Sequence, residues 1–573
     1  MKNKRLNLVL VLFFIIGAAI ISRLFFLQIL NHKFYQSQAL GQQAGFSEIK
    51  GSRGEVFLKN SQASKGKNTA GEAIGVAINK ESWLVSAMPS QIEDKGVFIK
   101  KLSEIIGESE DFISSKINSE NSYVIIKKDL SSEEIDKVKN LDLKGLYWEE
   151  TSERYYPQEE LASNVIGFFG GNEIGQYGIE GFYEDTLKGN SGIKEQKKGL
   201  SLISGDSSQS TLDGADLYLT VDYNIQFEAE NLLKEAKKNL DIASGQIIVM
   251  KPDSGRIIAM ASYPFYNPNK YFEQSDLGVF QNASVQKLFE PGSVMKAFTM
   301  SIGLNEGKVT PDMPFFDTGS VTIGKDVIYN FNHHKYGQQT MTGVLENSIN
   351  TGAVYVSQQI SHETYLDYMD KFGFGAKTGV DLQGEVYSKN TLLRNGSEMG
   401  FATASFGQGI ETTPIQLVAG FCAFANGGKL VKPHIVEKIV RDKNEDFIET
   451  EVIQNQIVST KTVSEITAML TSVVEKGYGG GKVPGYYLAG KTGTAEVPYE
   501  NKKGYYPDKT IQSFVGYGPA LNPQFVILVK LDDPKVSKSS LSAVPVFKKL
   551  AQYIINYWQI PPDYDAASQV SKK

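Results

Sequence analysis

Apolar residues fall along this 573-residue chain in three kinds of run. The first is at the N-terminus, where Leu6 to Ser22 carry no charge, Arg23 interrupts, and apolar sequence resumes from Leu24 to Leu30. Such a run is at the short end of the about 20 residues a membrane helix needs, and Arg23 can carry its charged head toward the interface. Lys2, Lys4 and Arg5 precede it, which puts the N-terminus in the cytoplasm and the body outside the cytoplasmic membrane. A cleaved signal peptide, with Gly17-Ala-Ala19 as its small residues, competes with this reading. Apolar sequence resuming beyond that point favours an uncleaved anchor.

The second kind of run is apolar on nearly every face. Pro291-Gly292 marks a turn, and Val294, Met295, Ala297, Phe298, Met300, Ile302 and Leu304 follow, as in a helix buried inside a domain. The third kind is short and bounded by turn residues. It predicts a hairpin at 246–261 and strands near 486–496, 512–518 and 525–531, forming an antiparallel sheet. Helices before and between these strands would cover both faces, with a mostly helical lobe from about 300 to 430. Tyr486 to Ala495 has small residues at its centre, where glycine lets a second backbone approach. Residues 31–215 are mixed: Ser131 to Leu141 reads as a charged helix, and Asn60 to Ala73 is a polar run. A polar tail begins at Asp563.

Composition narrows the chemistry. The chain is too long for one core, and a net charge of −6 gives no support for nucleic-acid binding. One cysteine excludes an internal disulfide, and Cys422, inside the apolar stretch Ala419 to Ala425, reads as a buried structural thiol. The five histidines (His32, His333, His334, His362, His434) lack metal-ligand spacing, and His362-Glu363 lacks the second histidine of a zinc protease helix. No metal and no cofactor are expected.

What remains is a set of three short words in order: Ser293-Val-Met-Lys296, Ser348-Ile-Asn350 and Lys491-Thr-Gly493. Together they describe serine acyl transfer with a lysine as general base. Each word alone is weak. Ser-x-x-Lys recurs at Ser47, Ser64 and Ser191, Ser-x-Asn at Ser119 and Ser388, and Lys-Thr-Gly at Lys377. Context separates them. Only Ser293 opens an apolar helix, where unpaired N–H groups favour negative charge. Lys296 lies one turn along, and burial would disfavour its ammonium form. A capped helix with a solvated lysine is the plainer reading, and the apolar flanks weigh against it. Ser348 and Asn350, standing alone, are a polar turn before a helix. Lys377 follows Phe372-Gly-Phe-Gly and reads as a helix end and loop.

With these residues the chain resembles the class B penicillin-binding proteins, the monofunctional peptidoglycan D,D-transpeptidases of bacterial division and elongation. The likeness extends to Leu219-Thr-Val-Asp222, to Gly245-Gln-Ile-Ile-Val-Met, to Ser405-Phe-Gly-Gln-Gly409, to Thr413-Pro-Ile-Gln416 and to Ser513-Phe-Val-Gly-Tyr-Gly-Pro519. The last of these leans toward the division type. Arg154-Tyr-Tyr-Pro157 and Gly178-Ile-Glu180 resemble the family's non-catalytic pedestal. Arg53-Gly-Glu-Val matches only in part: Leu58-Lys59 stands where the family continues with Asp-Arg. No glycosyltransferase signature precedes the transpeptidase segments, and nothing like a PASTA module follows them.

The resemblance implies an α/β penicillin-binding transpeptidase fold, an antiparallel sheet flanked by helices plus a helical lobe, shared with serine β-lactamases. It implies a cytoplasmic tail at 1–5, a single membrane helix at 6–30, a mixed α+β pedestal at 31–215, the transpeptidase region at 216–560 and a tail at 561–573. Ser293 would be the nucleophile and Lys296 its base, a role disputed among related enzymes. Backbone N–H groups of Ser293 and Thr494 would hold the oxyanion. Ser348 and Lys491 would pass a proton to the leaving D-alanine, and Asn350 would hold the substrate amide. Thr492, Gly493 and Thr494 would receive the terminal carboxylate end of a stem peptide. Implied partners are peptidoglycan stem peptides, β-lactams, the cytoplasmic membrane, a membrane glycosyltransferase and division or elongation proteins. A serine β-lactamase or D,D-carboxypeptidase shares the three words, and a catalytically weak scaffold of the division or elongation complex is the rival from another class.

Overall fold

Apolar runs become sheet strands that are buried on both faces. The structure, a computed structural model, describes residues 51–61, 73–118, 121–190, 213–442, 444–477, 479–499 and 504–565, the strands Phe46–Ile49 and Gly192–Glu195, and seven positions between Phe14 and Phe25. The expected tail at 1–5, most of the anchor at 6–30 and the end of the polar tail lie outside the described residues. Among the described residues no helix is long and apolar enough to cross a membrane.

By their contacts the described residues divide into two compact units, one within Met1–Gly54 and Asp185–Ala215, the other within Glu55–Glu184 and Asp216–Lys573. In the first, Phe46–Ile49 pairs antiparallel with Gly192–Glu195, and Gly54 N donates to Leu187 O at 2.8 Å.

The second unit holds a five-stranded antiparallel sheet in the order Ile257–Tyr263, Ser244–Met250, Phe525–Asp532, Tyr505–Gly518, Ala489–Pro498. On one face Ile247, Val249, Phe514, Ile527 and Val529 pack against Leu233 of helix Tyr223–Leu240 and against Phe547 and Leu550 of helix Ala543–Trp558. The alternate residues Ile248, Met250, Val515 and Leu528 are also fully buried. Helices Pro414–Ala425 and Thr460–Ser472 cover that face. A sheet covered twice loses the in–out alternation of a half-buried strand, which is why these strands read as continuous apolar runs. Each large side chain so buried contributes about 1.5–3 kcal/mol.

Helix Pro414–Ala425 is buried at every position and begins with a capping box between Thr413 and Gln416. Cys422 is buried within it, and burial pushes its thiol up, so it is inert.

A second sheet runs in the order Asn444–Phe447, Val436–Arg441, Asp216–Asp222, Val56–Lys59, Ile74–Ala87, Val124–Leu130, with Leu146–Tyr155 also on Ile74–Ala87. Phe98, Leu102, Ile113 and Ile135, from three helices, pack on Val85, Val124 and Ile126. The charged helix expected at 131–141 spans Ser132–Lys139, capped by the reciprocal Ser131–Glu134 pair.

Two expectations shift. The strand expected from 486 begins at Ala489, because Tyr486 bridges back to Val483, its hydroxyl donates to Ile560 O at 2.6 Å, and Tyr487 N donates to Asp563 Oδ2 at 2.8 Å. The lobe is less purely helical than expected: Pro314–Asp317 pairs with Gly337–Thr340, and Ser320–Ile323 with Asp326–Tyr329.

Candidate active site

Ser293 lies in a 3-10 turn, Gly292–Val294, that feeds helix Met295–Asn305. Every residue from Met295 to Leu304 is buried, so the helix is a fixed post in the core. Glycines let three backbones converge on its start. Gly292 has φ +55°, and its N–H donates to Gly407 O at 3.1 Å. A Cβ on Gly407 would sit 2.1 Å from Gly292 O, one on Gly292 would sit 2.8 Å from Thr494 O, and one on Gly493 would sit 2.7 Å from Pro291 O. Only Gly fits at these approaches. They seat the turn carrying Ser293 against the strand carrying Lys491, Thr492, Gly493 and Thr494.

Lys296 is 1 % exposed. Its Nζ donates to Ser348 O at 2.6 Å and to Asn350 Oδ1 at 2.7 Å, and lies 3.2 Å from Ser348 Oγ. Ser348 turns the chain between helices Met341–Glu346 and Asn350–Gln358 with φ +54°, a left-handed conformation that costs a non-glycine residue about 1–2 kcal/mol. Lys491 is fully buried, and its Nζ donates to Ser348 Oγ at 3.0 Å and to Thr492 Oγ1 at 3.3 Å. One hydroxyl therefore lies between two lysines. Burial holds the Lys296 amine well below its ordinary pKa, and the charge of Lys491 pushes the same way. Ser293, Lys296, Ser348, Asn350, Lys491 and the strand residues 492–494 are thus drawn from one helix start, one interhelical turn and one edge strand.

Two of the remaining copies of the words serve local loops. Thr378 and Gly379, after Lys377, donate to Glu385 in a loop, and Ser388 donates to Glu411 at 3.3 Å. Lys50, Ser64, Lys67, Ser119 and Ser191 lie outside the described residues.

Two neighbours were not foreseen from the sequence. Glu290, buried just before the Pro291-Gly292 turn, accepts from Gly409 N at 2.9 Å and from Tyr505 OH at 3.2 Å. Burial raises its carboxyl, and burial together with Glu290 pushes the Tyr505 hydroxyl up to about 12. Its position beside Pro291-Gly292 was the one available signal. Ser539 donates to Gly493 O and lies 2.8 Å from Thr494 Oγ1, so the hydroxyl of Thr494 already has a protein partner. No local motif marks Ser539.

These residues fall within a segment that is similar to known proteins. Residues 245–552 match the penicillin binding protein transpeptidase domain, and 60–219 match the penicillin-binding protein dimerisation domain. Stage V sporulation protein D of Bacillus subtilis is 32% identical over 545 residues, covering 93% of this chain and 82% of that protein. Probable peptidoglycan D,D-transpeptidase PbpC of Pseudomonas aeruginosa is 29% identical over 575 residues, covering 98% and 96%. A peptidoglycan synthetase from Bifidobacterium adolescentis superposes with a TM-score of 0.71 at 25% identity, covering 91% of this chain and 98% of that one. Penicillin Binding Protein 2X of Streptococcus thermophilus shares the fold, with a TM-score of 0.74 at 21% identity over 89% of this chain and 80% of that one. The transpeptidase match spans more than half of the chain, and with the dimerisation match before it, the chain belongs to the class B penicillin-binding proteins.

Proposed function

We propose that this chain is a peptidoglycan D,D-transpeptidase, a serine acyltransferase that cross-links stem peptides and is acylated by β-lactams. The observation that carries this reading is the Ser348 hydroxyl between Lys296 Nζ and Lys491 Nζ, at 3.2 and 3.0 Å. A neutral lysine has two N–H groups and one lone pair. The two N–H groups match the carbonyl oxygens of Ser348 and Asn350, at 2.6 and 2.7 Å, and the lone pair is left for a hydroxyl proton.

Lys296 takes the proton of Ser293 as Ser293 Oγ bonds to the carbonyl carbon between the two terminal D-alanines. The oxyanion is held by the backbone N–H groups of Ser293 and Thr494, pre-aimed donors of a kind worth about 3–4 kcal/mol each. The C–N bond breaks, and the proton on Lys296 reaches the leaving D-alanine amine through Ser348, with Lys491 supplying positive charge. Asn350 orients the substrate amide, and Thr492, Gly493 and Thr494 line the carboxylate end. An amine of a second stem then attacks the acyl-enzyme, forming the cross-link and restoring Ser293. A β-lactam offers a strained amide to the same oxygen, and its leaving group stays tethered.

In this reading residues 216–560 carry the reaction, 31–215 form the pedestal, and 6–30 anchor the chain in the cytoplasmic membrane with its N-terminus inside and the catalytic region outside. The apolar run bounded by Lys4 and Arg5 supports the anchor. A membrane glycosyltransferase and division or elongation proteins are the partners it would meet there.

Intact mass and peptide mapping after incubation with a penicillin test the reaction. A stable adduct on Ser293, absent from Ser293→Ala, is expected. Rapid loss of the adduct with release of hydrolysed drug would indicate a β-lactamase. Absence of any adduct on folded protein would leave the scaffold.

A further inference from the structure

Asn350 is held at both ends of its amide. Its Oδ1 accepts from Lys296 Nζ at 2.7 Å, and its Nδ2 donates to the backbone carbonyl of Tyr329 at 2.9 Å. That second bond decides which way the amide faces. With the amide reversed, an N–H₂ would oppose Lys296 Nζ and an oxygen would oppose the Tyr329 carbonyl, both mismatched.

The residues that follow these two partners, Asn330 and Thr351, are both buried and bonded to each other: Thr351 N donates to Asn330 Oδ1 at 3.1 Å. Both also converge on Asp317, which ends strand Pro314–Asp317 and is 1 % exposed. Asn330 Nδ2 donates to its two carboxylate oxygens at 3.0 and 2.9 Å, and Thr351 Oγ1 donates at 2.6 Å. Gly319 N at 3.0 Å and Tyr336 N at 2.8 Å fill its remaining acceptor directions. Burial alone would raise this carboxyl, but the donors from Thr351, Tyr336, Gly319 and Asn330 bring it below its ordinary range. At neutral pH it is purely an acceptor. A buried carboxylate without a charged donor among these contacts is costly unless every lone pair is met, and here the donors meet it.

We propose that Asp317 is the positioning residue of the acylation site: by clamping Asn330 and Thr351 it fixes the Tyr329 carbonyl against Asn350, and so keeps Asn350 Oδ1 turned toward Lys296. The inference rests on the transpeptidase reading and adds the element that aligns its Ser-x-Asn turn. Asp317 touches neither substrate nor nucleophile and acts through Asn350.

The test is a double-mutant cycle on the purified protein with Asp317→Asn, Asn350→Ala and the pair, reading the second-order rate of acylation by a penicillin and the fraction of protein that becomes acylated. Asp317→Asn keeps the shape but turns its amide N–H₂ either toward Thr351 Oγ1 and Gly319 N or toward Tyr336 N, donor against donor in both cases. The expected result is acylation slowed about 100-fold, with nearly all molecules still acylated at long times and a pair no slower than Asn350→Ala alone. Losses that multiply in the pair, or Asp317→Asn acylating at the native rate, would overturn the proposal. A merely structural role would lower the acylated fraction or the melting temperature and still multiply. Should Asp317→Asn not fold, Thr351→Val, which removes only the hydroxyl donor, carries the same cycle and the same criteria. Failure of the native protein to acylate on Ser293 would count against the transpeptidase reading, and only a multiplying cycle or an unchanged rate in an acylating protein counts against Asp317.

Discussion

Lys296 and Lys491 share the hydroxyl of Ser348, and this arrangement makes the pH dependence of acylation predictable in sign. Burial first, and the charge of Lys491 second, hold the amine of Lys296 well below its ordinary value. The base works when neutral, so acylation should be full above the depressed pKa and fall about tenfold for each pH unit below it. Replacing Lys491 with alanine removes the second cause. The pKa of Lys296 then rises, and the acid limb of the residual acylation rate must move to higher pH. Rapid-mixing acylation at a series of pH values reads this directly, and a limb that stays in place or moves down would mean that the two amines do not sense each other. Lys296→Arg is expected to abolish acylation under the same conditions, because a guanidinium cannot be deprotonated in a protein.

The turn, helix and strand around Ser293 depend on missing side chains as much as on those present. Gly493 has Ser513 Oγ 2.3 Å and Pro291 O 2.7 Å from where a Cβ would stand. Gly493→Ala must therefore push the strand from the turn, at a cost of about 1–3 kcal/mol in stability and about 100-fold in acylation. Gly480→Ala, where nothing lies within 4 Å, should leave both unchanged. Melting temperature and acylation rate of the two variants, measured side by side, decide this. The same elements show what a sequence can disclose. The helix Met295–Asn305 was legible because it is apolar all round, and the three words were legible because of their order and flanks. The start of the edge strand was not: Tyr486 and Tyr487 have strand-forming side chains, yet their groups are bonded to Ile560 and Asp563, far along the chain. The Asp317–Asn330–Thr351 clamp and the Glu290–Tyr505 contact were equally hidden, since they join residues with no fixed spacing. Even the order of the five strands, with the last in sequence beside the first and the first hairpin at one edge, follows from no local pattern.

Residues 55–184 and those from 216 onward pack as one compact unit, and its energetics follow from how they interlock. Strand Asp216–Asp222 is flanked by Val56–Lys59 on one side and Val436–Arg441 on the other. Tyr156 N donates to Asn269 at 2.9 Å, and Tyr183 OH to Asp381 at 3.1 Å. Glu230 is the most informative of these ties. It is 3 % exposed on helix Tyr223–Leu240, accepts from Ala162 N at 2.7 Å and from Gln226 Nε2 at 2.8 Å, and burial raises its carboxyl pKa to about 7. With the folded pKa above the unfolded one, the folded state binds more protons between the two values. Stability therefore falls as pH rises from the ordinary carboxylate range to about 7, by roughly 3 kcal/mol, and stays reduced above it. Gln in place of Glu keeps the acceptor oxygen and carries no charge. Glu230→Gln should thus melt higher than the native protein above neutrality and within a degree or two of it in mild acid. Calorimetry of the soluble portion should show one cooperative transition carrying this dependence, because the interlocked strands leave no boundary at which 55–184 could melt by itself. Two separate transitions, or a Glu230→Gln gain that does not vanish in acid, would mean that the two segments are held together by something other than these contacts.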